Sequence, residues 1–380
     1  MTTSAPTDIV SAERGRERRA FLRLPYDLYR DDPAWVPPLL FERRRFLDPR
    51  HNAFFAHAEV ALFVARRDGQ VVGRISAQRD REEERIAGAP VASFGLFEAR
   101  DCEAAWALLD RAESWARERG AVRLRGPFAL SVNQETGLLV EGFNEPPMLS
   151  MPHNRPEYGE WIESRGYSVV QNMYAWRGRL EDFEEVLRRG AVRARAAGRF
   201  TVRTLDPRRL GEEMRRVGAV FNQAWGKAWG HIPFTEAELD TLASDLKLVG
   251  DPRIMLIAED RGEPVAIAIA LPNLNEAIAD LNGRLFPLGW AKLLYRLKVR
   301  GLKSMRVAIL GVVERLQGMA GFQLRALLLT ELHDRAEAAG YRQWEASWVR
   351  EENRGANHGF AAAGIRRAMT YSVYEKRLAP

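Results

Sequence analysis

The sequence predicts an α/β protein made of two lobes that share one plan. At 380 residues the chain is too long for one ordinary domain, and 46% hydrophobic with 28% charged residues is the balance of a soluble globular protein. Segments recur in a fixed order along it. Within each recurrence the hydrophobic period switches from that of a strand to that of a helix and back.

The elements follow in turn. "LFVARRDGQVVGRIS" (62–76) and "LIAEDRGEPVAIAIA" (256–270) each read as strand, charged Gly turn and strand, with Asp68-Gly69 and Arg261-Gly262 at the tips. Such dipeptides suit the tight turn of a β-hairpin. "AWALLDRAESWARERGAVRLRG" (105–126) and "LRALLLTELHDRAEAAGYRQWEAS" (324–347) each read as an amphipathic helix, a Gly stop and a strand. Ala105, Leu108, Leu109, Ala112, Trp115 and Ala116 share one helical face in the first; Leu324, Leu327, Leu328, Leu332 and Ala336 share one in the second. Gly120 and Gly340 suit the left-handed residue that ends a helix. "WIESRGYSVVQNMYAWRGRL" (161–180) and "GFAAAGIRRAMTYSVYEKRL" (359–378) close the two runs with a short helix, a Gly and paired strands.

Each lobe also carries its own insertion, 126–158 in the first and 272–305 in the second. The polar, helical stretch 183–200 is expected to link an N-terminal lobe, 1–182, to a C-terminal lobe, 201–380.

Several function classes are disfavoured. Charges interrupt the N-terminal stretch before an apolar core of signal-peptide length, and no later segment offers about 18 apolar residues in a row. A cytoplasmic protein is expected. Cys102 is the single cysteine, and six scattered histidines show no zinc spacing, so no metal is expected. The net charge of +6 favours anionic partners, yet 51 acidic residues offset 57 basic ones and no nucleic-acid motif appears. No nucleic-acid partner is expected.

The stretch "ILGVVERLQGMAGFQLRALLL" (309–329) carries the chemistry. A β-branched run ends in Gly318, Ala320 and Gly321, and a leucine-rich helix follows. Unpaired N–H groups and the positive end of the macrodipole make a helix start suitable for a phosphate, and small residues let backbone come close. A strand-to-helix turn that needs Gly only for its backbone would look alike. In the first lobe the equivalent helix is opened by Glu98, Asp101 and Glu103, which would repel a pyrophosphate.

The junction resembles the coenzyme A loop of the GNAT acyltransferase superfamily, Gln/Arg-x-x-Gly-x-Gly/Ala, here Arg315-Leu-Gln317-Gly318-Met319-Ala320. Its tail, with Asn353, Ala356, Phe360 and Gly364-Ile365, resembles the end of a GNAT domain. Longer phrases, among them "FLRLPYDLYRDDPAWVPPLL", "GPFALSVNQETGLLVEGF", "MPHNRPEY", "FNQAWGKAWGHIPFTEAE" and "EASWVREENR", resemble a bacterial tandem-GNAT group over residues 20–378. That group includes the bacterial ceramide synthases.

The resemblance implies two tandem GNAT-like lobes, each a mixed, mostly antiparallel sheet flanked by helices. It implies that the C-terminal lobe alone binds acyl-CoA, through Leu310, Gly311, Val312, Val313, Arg315, Gln317, Gly318, Met319, Ala320, Gly321 and Asn353. Backbone N–H groups of Leu310 to Val313 would face the thioester carbonyl. Phe360 stands where many GNAT enzymes carry a tyrosine acid. The implied reaction moves a fatty acyl group from acyl-CoA to an amine, foremost a sphingoid base. Two rivals stay open: another amine acceptor, such as an amino acid, a peptide or one linked to aminoacyl-tRNA, or a non-catalytic acyl-CoA or lipid-binding module.

Attack by an amine needs a base, and the candidates are His231, His153, Glu135 and Glu276. Imidazole titrates near neutrality and suits the task, although a loop histidine or an exposed carboxylate needs no such role. Asn133, Asn273 and Asn275, polar beside apolar runs, and Trp229 and Trp290 are candidates for the acceptor side; each Asn also suits a plain turn. Finally, 283–308 has seven Lys/Arg and no acid, interleaved with Leu285, Phe286, Leu288, Trp290, Leu293, Leu294, Tyr295 and Leu297. Such a segment lies on an anionic bilayer, covers an acyl chain, or packs on the core as an ordinary helix.

Overall fold

The computed structural model describes residues 6–182, 185–226, 228–316 and 318–379. The chain forms two compact units that do not follow a single cut. The first holds the described residues up to Met173 together with Ile278–Leu285 and the chain from Met369 onward; the second holds Tyr174–Ala277 and Phe286–Ala368. Residues 278–285 and the C-terminal strand, which the repeat assigns to the C-terminal lobe, thus pack with the first unit.

The first unit contains β1 (Asp8–Ser11), α1 (Gly15–Leu28), α2 (Leu40–Phe46), β2 (Ala58–Arg67), β3 (Gln70–Asp80), α3 (Arg81–Ala87), β4 (Ala92–Ala99), α4 (Cys102–Arg117) and β5 (Arg123–Gly126). Its insertion adds β6 (Phe128–Ala129), β7 (Glu135–Thr136) and β8 (Leu138–Glu141), followed by α5 (Tyr158–Glu163) and β9 (Ser168–Arg179), whose last residues belong to the second unit. β1 to β4 pair antiparallel in sequence, and Asp68 and Gly69 take φ of 50° and 73° at the β2–β3 tip, as that turn requires. β4 and β5 are parallel but match only at Ala92↔Leu124 and Ser93↔Arg125. The whole predicted face of α4 is buried under this sheet.

The second unit runs α6 (Glu185–Ala196), β10 (Phe200–Thr204), α7 (Leu210–Trp225), α8 (Glu236–Val249), β11 (Met255–Asp260), β12 (Glu263–Pro272), α9 (Asn275–Ile278), α10 (Gly289–Tyr295), β13 (Ser304–Val312), α11 (Met319–Ala338), β14 (Gln343–Arg350) and α12 (Arg354–Ala362), and only the start of β15 (Arg366–Arg377) belongs to it. β10 to β13 pair antiparallel, and β13 and β14 are parallel. This is the mixed, mostly antiparallel sheet that was expected. Leu324, Leu328, Leu332 and Ala336 of α11 enter the same core as Ile257, Ile267 and Met305 from the strands. Gly340 ends the helix at φ 92°.

Two local expectations differ. Each terminal Gly, Gly166 and Gly364, is followed by one uninterrupted twelve-residue strand, β9 or β15, where paired strands were expected. β15 holds no Gly, Pro, Asn or Asp to reverse it, and in β9 neither Asn172 nor Gly178 takes a positive φ. From Met369 onward β15 pairs with β5 (Tyr374↔Gly126) and β8 (Ser372↔Leu138), and so completes the first unit.

Candidate active site

The parallel ladder between β13 and β14 stops at Val307↔Ala346, whereas β13 continues to Val312. A bulge against β12 sits where it stops: Ile269 faces Ile309 and Ala270 faces Val307, leaving Ala308 unmatched. An extra residue bends a strand and increases its twist, which turns Ala308–Val312 away from β14. A wedge between two parallel strands results.

Alternation fixes which backbone donors face it. Val313 N–H donates to Val265 O at 3.0 Å, so in an antiparallel ladder Gly311 also turns its N–H to β12. Leu310 and Val312, one step out of phase, point theirs the other way. Of the four residues expected at the carbonyl, these two have the right direction; Val313 is already bonded.

The strand leads through a 3-10 turn, Glu314–Leu316, into Gly318 and α11. Gln317 lies outside the described residues. Gly318 takes φ 77°, a conformation that suits glycine, no side chain among the described residues caps the helix, and no acid lies in its first turn. A Cβ on Gly321 would overlap the carbonyl oxygen of Leu316. Arg315 and Met319 are exposed and Ala320 is partly buried. The junction therefore offers bare N–H groups at the positive end of a 20-residue helix, and these residues fit the pyrophosphate of coenzyme A.

The corresponding place in the first unit is filled from inside. Asp101 caps α4, accepting from Ala104 N at 2.9 Å, and Arg67 pairs with the same carboxylate at 2.7 Å. Beside β4 the wedge is taken by β6: a Cβ on Gly95 would overlap the Phe128 carbonyl, which accepts from Gln78 Nε2 at 3.1 Å. Contrary to the expectation that it opens the helix with Asp101 and Glu103, Glu98 lies on β4, buried, before the chain turns into α4. Its carboxylate accepts from the hydroxyls of Tyr29 (2.5 Å) and Tyr158 (3.1 Å), with Arg74 at 3.5 Å. Burial pushes this carboxyl up, against the pull of Arg74 and the two hydroxyls.

Of the two base candidates in the second unit, His231 is the one beside the wedge. Phe221, Trp225, His231 and Phe234 form an aromatic group, with Phe221 centred 4.9 to 5.3 Å from the other three rings. A Cβ on Gly311 would overlap the ring of Trp225, so this group is seated directly on the splayed part of β13. The imidazole is half-buried and has no carboxylate partner among the described residues. Burial, then the Arg350 cation at the end of β14, push it below the usual histidine range. It is therefore neutral and able to accept a proton at pH 7.

The other three candidates are engaged elsewhere. Glu276 accepts from Lys303 N (3.0 Å) and Ser304 N (2.7 Å), and from the Ser304 hydroxyl, at the start of β13. Seven residues of strand, roughly 20 Å, separate that end from Gly311. His153 and Glu135 belong to the first unit, where His153 Nε2 meets Asp32 at 2.8 Å and Glu135 meets Arg43 at 2.6 Å. His153 Nδ1 is buried without a partner among the described residues.

Asn273 joins the Glu276 knot, donating to Ser304 Oγ at 3.0 Å, and Asn275 starts α9. Asn133 sits in the β6–β7 loop of the first unit with its N–H on Ser131 Oγ. Asn353 caps α12, accepting from Ala356 N at 3.3 Å. Phe360 packs between Trp176 and Trp344, 5.5 and 5.7 Å away, and brings no hydroxyl. Trp229 is half-buried in the loop of His231, while Trp290 is on the exposed side of α10. Sequence reasoning missed Arg350 and Trp225; a glycine inside a strand, Gly311, was the available sign that something approaches closely.

Comparison with known proteins agrees with this geometry. No family model matches the chain. The bacterial ceramide synthase of Caulobacter vibrioides (strain NA1000 / CB15N) is 41% identical over 99% of this chain and 99% of its own. Protein YghO of Escherichia coli (strain K12) is 39% identical over 95% of this chain and 93% of its own. Among solved structures, a tandem GNAT protein from the clavulanic acid biosynthesis pathway shares the fold over 99% of both chains, with a TM-score of 0.59 at 14% identity. A wedge with a bare helix start in one repeat, its counterpart filled in the other, and 41% identity along nearly the whole length of a named enzyme lead to one conclusion: the chain belongs to the tandem-GNAT N-acyltransferase family of the bacterial ceramide synthase.

Proposed function

We propose that this enzyme acylates the amine of a sphingoid base with the fatty acyl group of an acyl-CoA, giving a ceramide. The observation that carries the proposal is the wedge: β13 leaves β14 after Val307 and runs into an uncapped, acid-free helix start at Gly318. The ceramide product itself is inferred from the named relative.

In this reading the N–H groups of Gly318 to Gly321 hold the pyrophosphate, with Arg315 adding charge. Leu310 and Val312 N–H polarise the thioester carbonyl and stabilise the oxyanion as the amine adds. His231 accepts the proton that the nitrogen loses on forming the C–N bond. The C–S bond then breaks, and the thiolate leaves without a tyrosine acid, since Phe360 has none to offer. The first unit carries no donor. The protein works in the cytoplasm, at the membrane in which its lipid acceptor is dissolved.

The test is CoA release by purified protein with C2 to C18 acyl-CoAs, with and without sphinganine or 3-oxosphinganine, followed by mass spectrometry of the lipid. Amide formed with long chains and a sphingoid amine supports the proposal. Release with other amines only, such as amino acids or peptides, replaces the acceptor. Acyl-CoA bound without release for any amine reduces the protein to a binding module.

A further inference from the structure

We infer that residues 286–300 form an interfacial anchor that seats the second unit on an anionic lipid bilayer. Phe286, Leu288, Trp290, Leu294, Tyr295 and Val299 are each 51% to 81% exposed, a concentration of large apolar side chains on one short segment. Solvent tolerates isolated exposed apolar residues but seldom a cluster, which marks an interaction surface. The segment is ordered: α10 continues into a π-type turn at Arg296–Arg300, and Arg296 donates to the Ala277 carbonyl at 2.8 Å. Ala291, Leu293, Arg296 and Leu297 are the less exposed side. Trp290 with Leu294, and Tyr295 with Val299, stand four residues apart on the outer side, as one helical stripe requires.

Charge identifies the occupant. Lys292, Lys298, Arg300 and Lys303 are all exposed in or just after the segment, and no Asp or Glu occurs from Leu281 to Val313. A second copy of the same face would bring these cations against one another. An anionic headgroup layer offers the opposite charge together with an apolar boundary for the six side chains, and Trp and Tyr favour that boundary. An ordinary core-packed helix, one of the readings open from sequence, would bury these residues instead. The anchor does not depend on the acylation proposal, but it supplies a route for a membrane-dissolved acceptor.

The test uses the full chain and co-sedimentation with extruded vesicles, either phosphatidylcholine alone or a mixture with about one-third phosphatidylglycerol. The unaltered protein is expected to bind the anionic vesicles at least tenfold more tightly. K292E/K298E should remove that preference, and L294S/V299S should weaken binding to both vesicles at least tenfold, with circular dichroism unchanged for each. Failure of the unaltered protein to bind either vesicle overturns the inference, as does binding that neither double variant alters. Light scattering that shows a dimer dispersed by L294S/V299S, without vesicle binding, also overturns it in favour of self-association. Turnover of a short-chain, water-soluble amine should be the same in all three proteins. Vesicle binding without any turnover would sustain the anchor and sink the acylation proposal alone.

Discussion

His231→Gln tests the chemistry most directly. The variant keeps a polar side chain of similar length and removes the half-buried imidazole that packs on Phe221, in the aromatic group seated on the splayed strand through Trp225. Loss of a general base typically costs about 10²- to 10⁴-fold in rate, or roughly 3–5 kcal/mol of barrier. Loss of its ring contact with Phe221 costs about 0.5–1.5 kcal/mol of stability, too little to account for such a rate. The assay is kcat/KM from CoA release across pH 5 to 9. Because burial and Arg350 push the imidazole below the usual histidine range, its neutral, proton-accepting form persists to lower pH. Activity should therefore fall on the acid side with a midpoint beneath that of ordinary histidine. Arg350→Met removes the cation and should move that midpoint upward. The reasoning is refuted if H231Q retains activity within about threefold at neutral pH, or if the acid limb persists in it unchanged.

Three further outcomes follow from the geometry. Gly321→Ala places a Cβ on the Leu316 carbonyl, so KM for acyl-CoA should rise about tenfold, ~1.4 kcal/mol, with kcat little changed. Gly355→Ala, which meets nothing, is the control in the same kinetic assay. Glu276→Ala strips two backbone N–H groups of a charged acceptor, worth about 1.5–3 kcal/mol each, and should lower Tm by several degrees while sparing kcat. A collapse of kcat at unchanged Tm would instead put this carboxylate in the chemistry. Calorimetric titration with CoA should give one site per chain, because β6 fills the wedge of the first unit; two sites would mean that Phe128 yields.

What the sequence disclosed was local. The Asp68-Gly69 and Arg261-Gly262 turns and the buried stripes of α4 and α11 depend on neighbours within a few residues, and periodicity records them. Gly318 was legible because a helix start without a cap or an acid is visible in the letters. The role of Glu276 was not, since its meaning lies in Ser304, far along the chain. Nor could the insertion 126–158 reveal that Phe128 would occupy the wedge beside Gly95, because the path of a loop is fixed by what it packs against. His153 and His231 look alike as letters; their carboxylate and cation neighbours distinguish them.

The return of the chain's end to the first unit has a consequence during synthesis. β5 and β8 remain without the partner that residues 369–377 supply until about 230 further residues have been translated. At about 5–20 residues per second that interval lasts roughly 12–46 s, during which the nascent repeat presents open strand edges. Neither repeat is a detachable module, and a chain cut between them would leave the first without its closing strand.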